Sequence, residues 1–301
     1  MTRILSTLVL AGCCGAAWAQ QLEPRAYSVS PTGVNIVLIG YTHAAGDLNF
    51  DPSIPIDNGS ARINATVLGY FRSLNVFGRS ANVSAAVPYS WGHLQGNYLG
   101  EYTQIYRSGP TDSLTRFSIN LYGAPAMKLK EFARYKQKTN IGATIVVTAP
   151  TGQYDPNKAI NLGTNRWSFK PEVGFSRAIR QSRMVLDGYF GVWMFTANPN
   201  VQGRKRTQDP IGTAQFHLSY DLKPRLWAAF DATFYRGGRT YLDGVRRNDL
   251  QSNSRIGGTV SIPVARRQSV KFSYSVGLYT TIGGDFQMFS AGYQYLWGGG
   301  L

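Results

Sequence analysis

No apolar run of 18 residues or more follows the N-terminus, which excludes a helical membrane protein. Cysteine is confined to Cys13 and Cys14 and histidine to His43, His93 and His217. Metal sites need clustered ligands, and these spacings offer none, so neither a metal nor another cofactor is expected. Charged residues make up 16% of the 301, with basic residues in excess to a net +15. A mean hydropathy of −0.20 would suit a soluble protein. It suits equally a barrel whose strands face lipid on one side and water on the other.

What the chain does have is period-2 alternation over long stretches. Val270, Phe272, Tyr274, Val276 and Leu278 interleave with Ser269, Lys271, Ser273, Ser275 and Gly277. The segments around it repeat the pattern: Ile256, Gly258, Val260, Ile262 and Val264 before it, Phe289, Ala291, Tyr293, Tyr295 and Trp297 after it. Strands of about ten residues, apolar on one face and ending on aromatics, point to a membrane-spanning antiparallel β-barrel rather than a soluble sandwich. Twelve such strands can be marked between Gly33 and Trp297, long and short connections alternating as in bacterial outer-membrane barrels. That asymmetry puts both termini in the periplasm and places Asp51 to Asn58, Arg204-Lys205-Arg206 and Arg246-Arg247 outside the cell.

Residues 1–19 read as a secretory signal: Arg3, the apolar Ile4 to Leu10, then Ala17-Trp18-Ala19 before Gln20. Residues 20–301 then form one outer-membrane barrel without cysteine. The competing reading of Leu10-Ala11-Gly12-Cys13 as a lipobox would lipidate Cys13 instead. Gln20 to Thr32 is an irregular polar lead-in, Tyr89 to Asp112 the longest loop, and Ala124 to Lys138 the one helix candidate, at a rim. In the second strand Ile63, Ala65, Val67, Gly69 and Phe71 are assigned outward and Arg62, Asn64, Thr66 and Arg72 inward.

The residues expected to line the lumen are Arg62, Arg72, Arg116, Lys170, Glu172, Asp187, Tyr189, Trp193, His217, Asp231, Arg255 and Lys271. Inward charge of both signs serves either a paired, filled interior or a channel that selects solutes, and the sequence leaves both open. Twelve strands enclose less room than a 16–18-stranded porin, so a gated or partly plugged path is expected. His217, Ser219 and Asp221 share one face of one strand. Residues two apart on a strand stand about 6–7 Å apart, too far for a direct proton relay, so a barrel-embedded lipid hydrolase ranks behind a solute channel and a structural or surface-interaction barrel. The basic export product could meet outer-membrane lipid and glycolipid, the outer-membrane assembly machinery and a small-molecule solute. Nucleic acid is not an expected partner in that compartment.

Several segments carry a family resemblance. They include Leu22-Glu23-Pro24-Arg25-Ala26-Tyr27, Gly33-Val34-Asn35, Gly40-Tyr41, Asp51-Pro52 with Pro55-Ile56-Asp57-Asn58, and Val87-Pro88-Tyr89. Pro150-Thr151-Gly152-Gln153-Tyr154 and Asn165-Arg166-Trp167-Ser168-Phe169-Lys170-Pro171-Glu172-Val173-Gly174 complete the set, the last being the most specific. Together they resemble a bacterial family named for the meta-cleavage pathway of phenol degradation and described as outer-membrane transporters. The resemblance implies a barrel and uptake of small aromatic or apolar compounds; it brings no catalytic residues. The ending Trp297-Gly298-Gly299-Gly300-Leu301 departs from barrels that terminate on an aromatic.

Overall fold

A computed structural model of the chain describes residues 22–50, 56–158, 160–179 and 182–300. The expected signal segment, most of the Asp51 to Asn58 loop and part of the Arg180 to Arg183 turn lie outside the described residues. Twelve antiparallel strands close into a barrel: β1 (Val34–Asn49), β2 (Ile56–Val76), β3 (Arg79–Tyr98), β5 (Ser113–Tyr122), β6 (Thr139–Ala149), β7 (Ser168–Ala178), β8 (Met184–Phe195), β11 (Ile211–Lys223), β12 (Leu226–Gly237), β15 (Gln251–Ala265), β16 (Gln268–Thr280) and β17 (Gly283–Gly298). Closure is made by β1 on β17, from Val34 opposite Gly298 to Asn49 opposite Gly283. With the ring closed, no barrel edge needs a partner in lipid.

Alternation decides which face is which. Leu68, Val173 and Phe230 on the outer wall are each more than half exposed, and Phe190, Phe216, Phe272 and Phe289 continue the band. Tyr70 and Trp297 meet at 6.2 Å near the short-turn end, while Tyr89 and Trp91 meet at 6.4 Å toward the other. An apolar belt flanked by aromatic girdles is the surface a bilayer requires.

Three expectations need correction. The long loop after β3 is not a loop: β3 runs on to Tyr98 and turns at Leu99-Gly100 into β4 (Glu101–Pro110), which pairs with it from Tyr89 to Tyr98. Both turn residues have positive φ, 53° and 84°, as a two-residue hairpin of type I′ demands. Tyr89, Trp91 and His93 keep the strand period through that stretch. The rim helix α1 shrinks to Leu129–Phe132, because the rest of 124–138 is spent closing the barrel floor.

The third correction concerns β2. Ala61, Ile63, Gly69 and Ser73 are buried, whereas Arg62, Leu68, Tyr70 and Arg72 are exposed. Register makes the assignment independent of exposure: Leu68 lies opposite Ile39, which lies opposite Tyr293 on the outer wall. Arg62 and Arg72 therefore face outward and do not line the lumen. Ten residues of strand span roughly 33 Å, which a barrel tilt reduces to the roughly 25 Å height of an apolar band. Each guanidinium thus falls at a membrane interface, where its long stem can snorkel to the headgroups.

Above the barrel at the long-loop end, β9 (Asn198–Val201), β10 (Arg204–Gln208), β13 (Thr240–Leu242) and β14 (Val245–Arg246) form a separate four-stranded sheet.

Candidate functional site: an occluded lumen

The polar lead-in runs into the barrel. Residues 22–27 cross the lumen from the β15 wall to the β6–β7 wall, held mostly by polar contacts. Leu22 packs against Gly257 on β15, so closely that a Cβ there would sit 2.7 Å from it. Glu23 pairs with Arg116 on β5. Arg25 bonds to Asp221 at 2.7 Å and to the Ser219 hydroxyl at 2.9 Å, and its guanidinium stacks 4.7 Å over Trp227. The Arg25 amide donates to Asp187 at 3.2 Å, and the Ala26 amide to the Tyr189 hydroxyl at 3.0 Å. Tyr27 is buried beside the paired glycines Gly142 and Gly174, with its hydroxyl 2.9 Å from the Thr144 hydroxyl. A Cβ on Gly142 or Gly174 would overlap the tyrosine ring, at 2.6 and 2.0 Å. Those two glycines are the seat of the ring.

Ten of the residues expected to line the lumen do face inward, and most of their charges are matched. Arg116 also reaches Glu172 at 3.5 Å, and Lys170 holds the same carboxylate at 2.8 Å. His217 Nδ1 lies 2.6 Å from Asp231, whose other oxygen accepts from Thr259 at 2.7 Å. The Tyr189 ring packs over His217 with centroids 5.2 Å apart. Arg255 donates to the Phe286 carbonyl at 2.6 Å and to Ser275 at 3.1 Å, and Lys271 lies 5.8 Å from the Trp227 ring. Burying these charges would be costly alone; pairing and hydrogen bonding offset it. Trp193 closes the set, packed with Val146, Ile211 and Tyr235 higher in the lumen. The trio His217, Ser219 and Asp221 forms no relay, since His217 is turned to Asp231 while Ser219 and Asp221 are both engaged by Arg25.

A second obstruction comes from the long-loop end. The loop after β6 folds back over the mouth, tied down by Asp112, whose two oxygens accept from the Gly152 amide and from the Thr164 amide and hydroxyl. Its Ile160 reaches the far wall and is buried among Ala44, Ala61, Ile63, Leu94 and Phe286. Arg107 donates to the Ile160 carbonyl at 3.0 Å. Ala44, Ala61 and Ile63 belong to the inner face of β1 and β2, which explains why the apolar parity of β2 turns inward: it receives this loop. The lumen is thus closed by segments from both ends, and between them it is lined by an apolar and aromatic cluster around Trp193 and Tyr235. A groove of about 870 Å³ also runs along the outer wall between Phe190 and Phe234 over Gly212 and Ala214. Most of its lining is of the lipid-facing parity, and Thr144, Glu172, Thr213, Tyr235 and Asn253 of the inner parity also contribute.

The sequence named the wall residues but not the lead-in as their partner. Its one local signal was the pair Glu23 and Arg25, opposite charges two residues apart in a segment too short to bury them alone.

Comparison with known proteins adds the following. A family model described as "Putative MetA-pathway of phenol degradation" matches residues 42–297. An outer membrane channel from Pseudomonas putida F1 superposes with a TM-score of 0.76 at 18% identity, over 92% of this chain and 100% of its own, which shows the shared fold. The β domain of the Bordetella autotransporter BrkA gives 0.49 at 11% identity over 88% and 100%, and the transport unit of the autotransporter AIDA-I from Escherichia coli 0.48 at 8% over 92% and 93%. No curated protein matches.

Proposed function

The chain belongs to the family described as the putative MetA-pathway of phenol degradation, and we propose that it carries small organic solutes, aromatic or apolar ones, across the bacterial outer membrane through a gated lumen. The observation that carries this reading is how the lumen is closed. Residues 22–27 are held in it by side-chain hydrogen bonds and ion pairs rather than by a continuous sheet, so the contacts can be exchanged one by one for water or solute. A purely structural barrel would gain more by filling its interior with apolar side chains, since paired buried charges are often less stabilising than well-packed apolar replacements. The one observation favouring a barrel without transport is that pairing itself, which is extensive in the lower lumen. A narrow path lined by charges of both signs and by aromatic rings suits small organic solutes that carry a polar group. In this reading the long loops face outward, and outer-membrane lipid, glycolipid and the assembly machinery are the surrounding partners.

Liposomes containing the folded protein should admit small neutral aromatics, benzyl alcohol for example, faster than empty liposomes. Trp193→Ala, which removes a large ring from the lumen, should raise the rate further. Equal rates in all three preparations would leave the structural reading in possession. Orientation has its own test. Asn200, exposed in β9, replaced by cysteine should react with an impermeant maleimide in intact cells. Labelling only after rupture of the outer membrane would invert the topology.

A further inference from the structure

The stretch of lumen between the two obstructions carries hydrogen-bond donors that no described residue accepts. On the inner face of β7 and the residues leading into it stand Arg166 and Lys170; beside them on β8 stand Phe195 and Trp193. The Arg166 guanidinium lies 4.3 Å from the Phe195 ring centroid and Lys170 Nζ 5.4 Å from that of Trp193. The two cations differ in how their charge is met. Lys170 has Glu172 at 2.8 Å. Arg166 is only 9% exposed, yet no carboxylate among the described residues pairs with it. Its Nη2 donates to the Gln208 side chain, and its Nη1 is buried without an acceptor. Asp112 attracts Arg166 electrostatically without pairing with it, since both its oxygens are engaged by Gly152 and Thr164.

Trp193 Nε1 is likewise buried without an acceptor, and the Tyr235 hydroxyl has only the Thr233 hydroxyl beside it. Both residues belong to the cluster with Val146 and Ile211 on which Phe195 packs. The unmet groups of Arg166 and Trp193 can only donate, and that of Tyr235 can donate. A buried donor left unmet is costly, more so for a charged group. Flat aromatic walls, surplus donors and an unmatched guanidinium are complementary to a planar apolar body that carries an acidic acceptor. A carboxylate fits best, because it is ionised at neutral pH and matches the guanidinium fork.

We propose that this stretch of the lumen binds aromatic monocarboxylates, the ring lying against Trp193 and Phe195 and the carboxylate on Arg166. The assignment rests on the solute-channel reading and names the class of solute. Lys170 is not the anchor, since Glu172 already holds it; Tyr235 and Trp193 add neutral donors.

The test titrates the detergent-purified full chain with 4-fluorobenzoate and, separately, with the uncharged 4-fluorobenzyl alcohol, following the fluorine line width. Saturable broadening of the acid is expected. Arg166→Gln should weaken acid binding roughly tenfold or more, the range for a lost hydrogen bond to a charged group, while leaving the alcohol unaffected. Tyr235→Phe keeps the ring and should weaken the acid several-fold alone; it carries the test if Arg166→Gln does not fold, judged by heat-modifiable gel mobility. Arg166→Lys keeps the charge and should fall between wild type and Arg166→Gln. Acid and alcohol bound equally well, or folded Arg166→Gln binding the acid as wild type does, would overturn the site. Uptake of the alcohol into liposomes, run in parallel, separates the two readings. Uptake without acid binding removes the carboxylate site and keeps the channel; saturable acid binding without any uptake removes the channel and keeps the site.

Discussion

Replacing Glu23, Arg25 and Tyr27 together by alanine should raise single-channel conductance in planar bilayers about tenfold. A twelve-stranded wall encloses a space between the filled interior of eight strands and the open channel of sixteen. Here residues 22–27 occupy it, so wild-type conductance is set by the segment rather than by the wall. The triple substitution removes the Arg116 pair, the Asp221 and Ser219 contacts, and the ring seated beside Gly142 and Gly174. Each contact is made by a side chain of the segment, and the wall pairs Lys170–Glu172 and His217–Asp231 stay intact. The fold should therefore survive. Gly174→Val reaches the same end from the wall side, by filling the tyrosine seat, and should also raise conductance. Unchanged conductance in both folded variants would mean that the loop bearing Ile160, not the N-terminal segment, sets the resistance.

The second large effect concerns the bilayer. Phe272→Arg should cost about 2–4 kcal/mol of folding free energy, measured by urea titration in lipid vesicles, if the position lies near the midplane. Phe272 is exposed on the outer wall, pairs across the sheet with Val260 and Ala291, and stacks on Phe289 at 6.3 Å. An arginine there must carry its charge through the apolar belt to reach water. Ser273→Arg, one residue on, points into the polar lumen and should cost far less. A similar cost at both positions would contradict the two-faced wall on which the fold assignment rests. Arg62 and Arg72 already sit on the outer wall, yet they mark the ends of the belt rather than its middle.

Most of the wall was legible from the chain alone. Phe272 against Ser273, or Phe216 against His217, gives a two-residue period whose faces differ so strongly in polarity that lipid and lumen sort themselves. The same rule turned β2 the wrong way, because both of its parities carry apolar residues: Ile63, Val67 and Phe71 on one, Leu68 and Tyr70 on the other. Alternation tells which residues share a face and not which face is inside. Pairing with β1 and the arrival of Ile160 settled that. Around Leu99-Gly100 the positive-φ pair is a hairpin turn between long paired strands, a pairing that only the register across 89–110 reveals.

What the sequence by itself determined is the closed, lipid-facing β-wall and the set of polar residues it turns inward from β5 to β16. The two-residue period is local, and every strand states it separately. What only the tertiary structure decided is how those inward residues are used. Glu23 finds Arg116 and Arg25 finds Asp221 across 93 and 196 positions of chain, contacts that no local pattern encodes. They exist because closing a twelve-stranded ring brings the inner faces of β5, β8 and β11 to one axis and leaves room there for a single extended segment. The surroundings of Arg166 became visible for the same reason: Gln208, Phe195 and Asp112 reach it from distant parts of the chain, and no carboxylate among the described residues forms an ion pair with it.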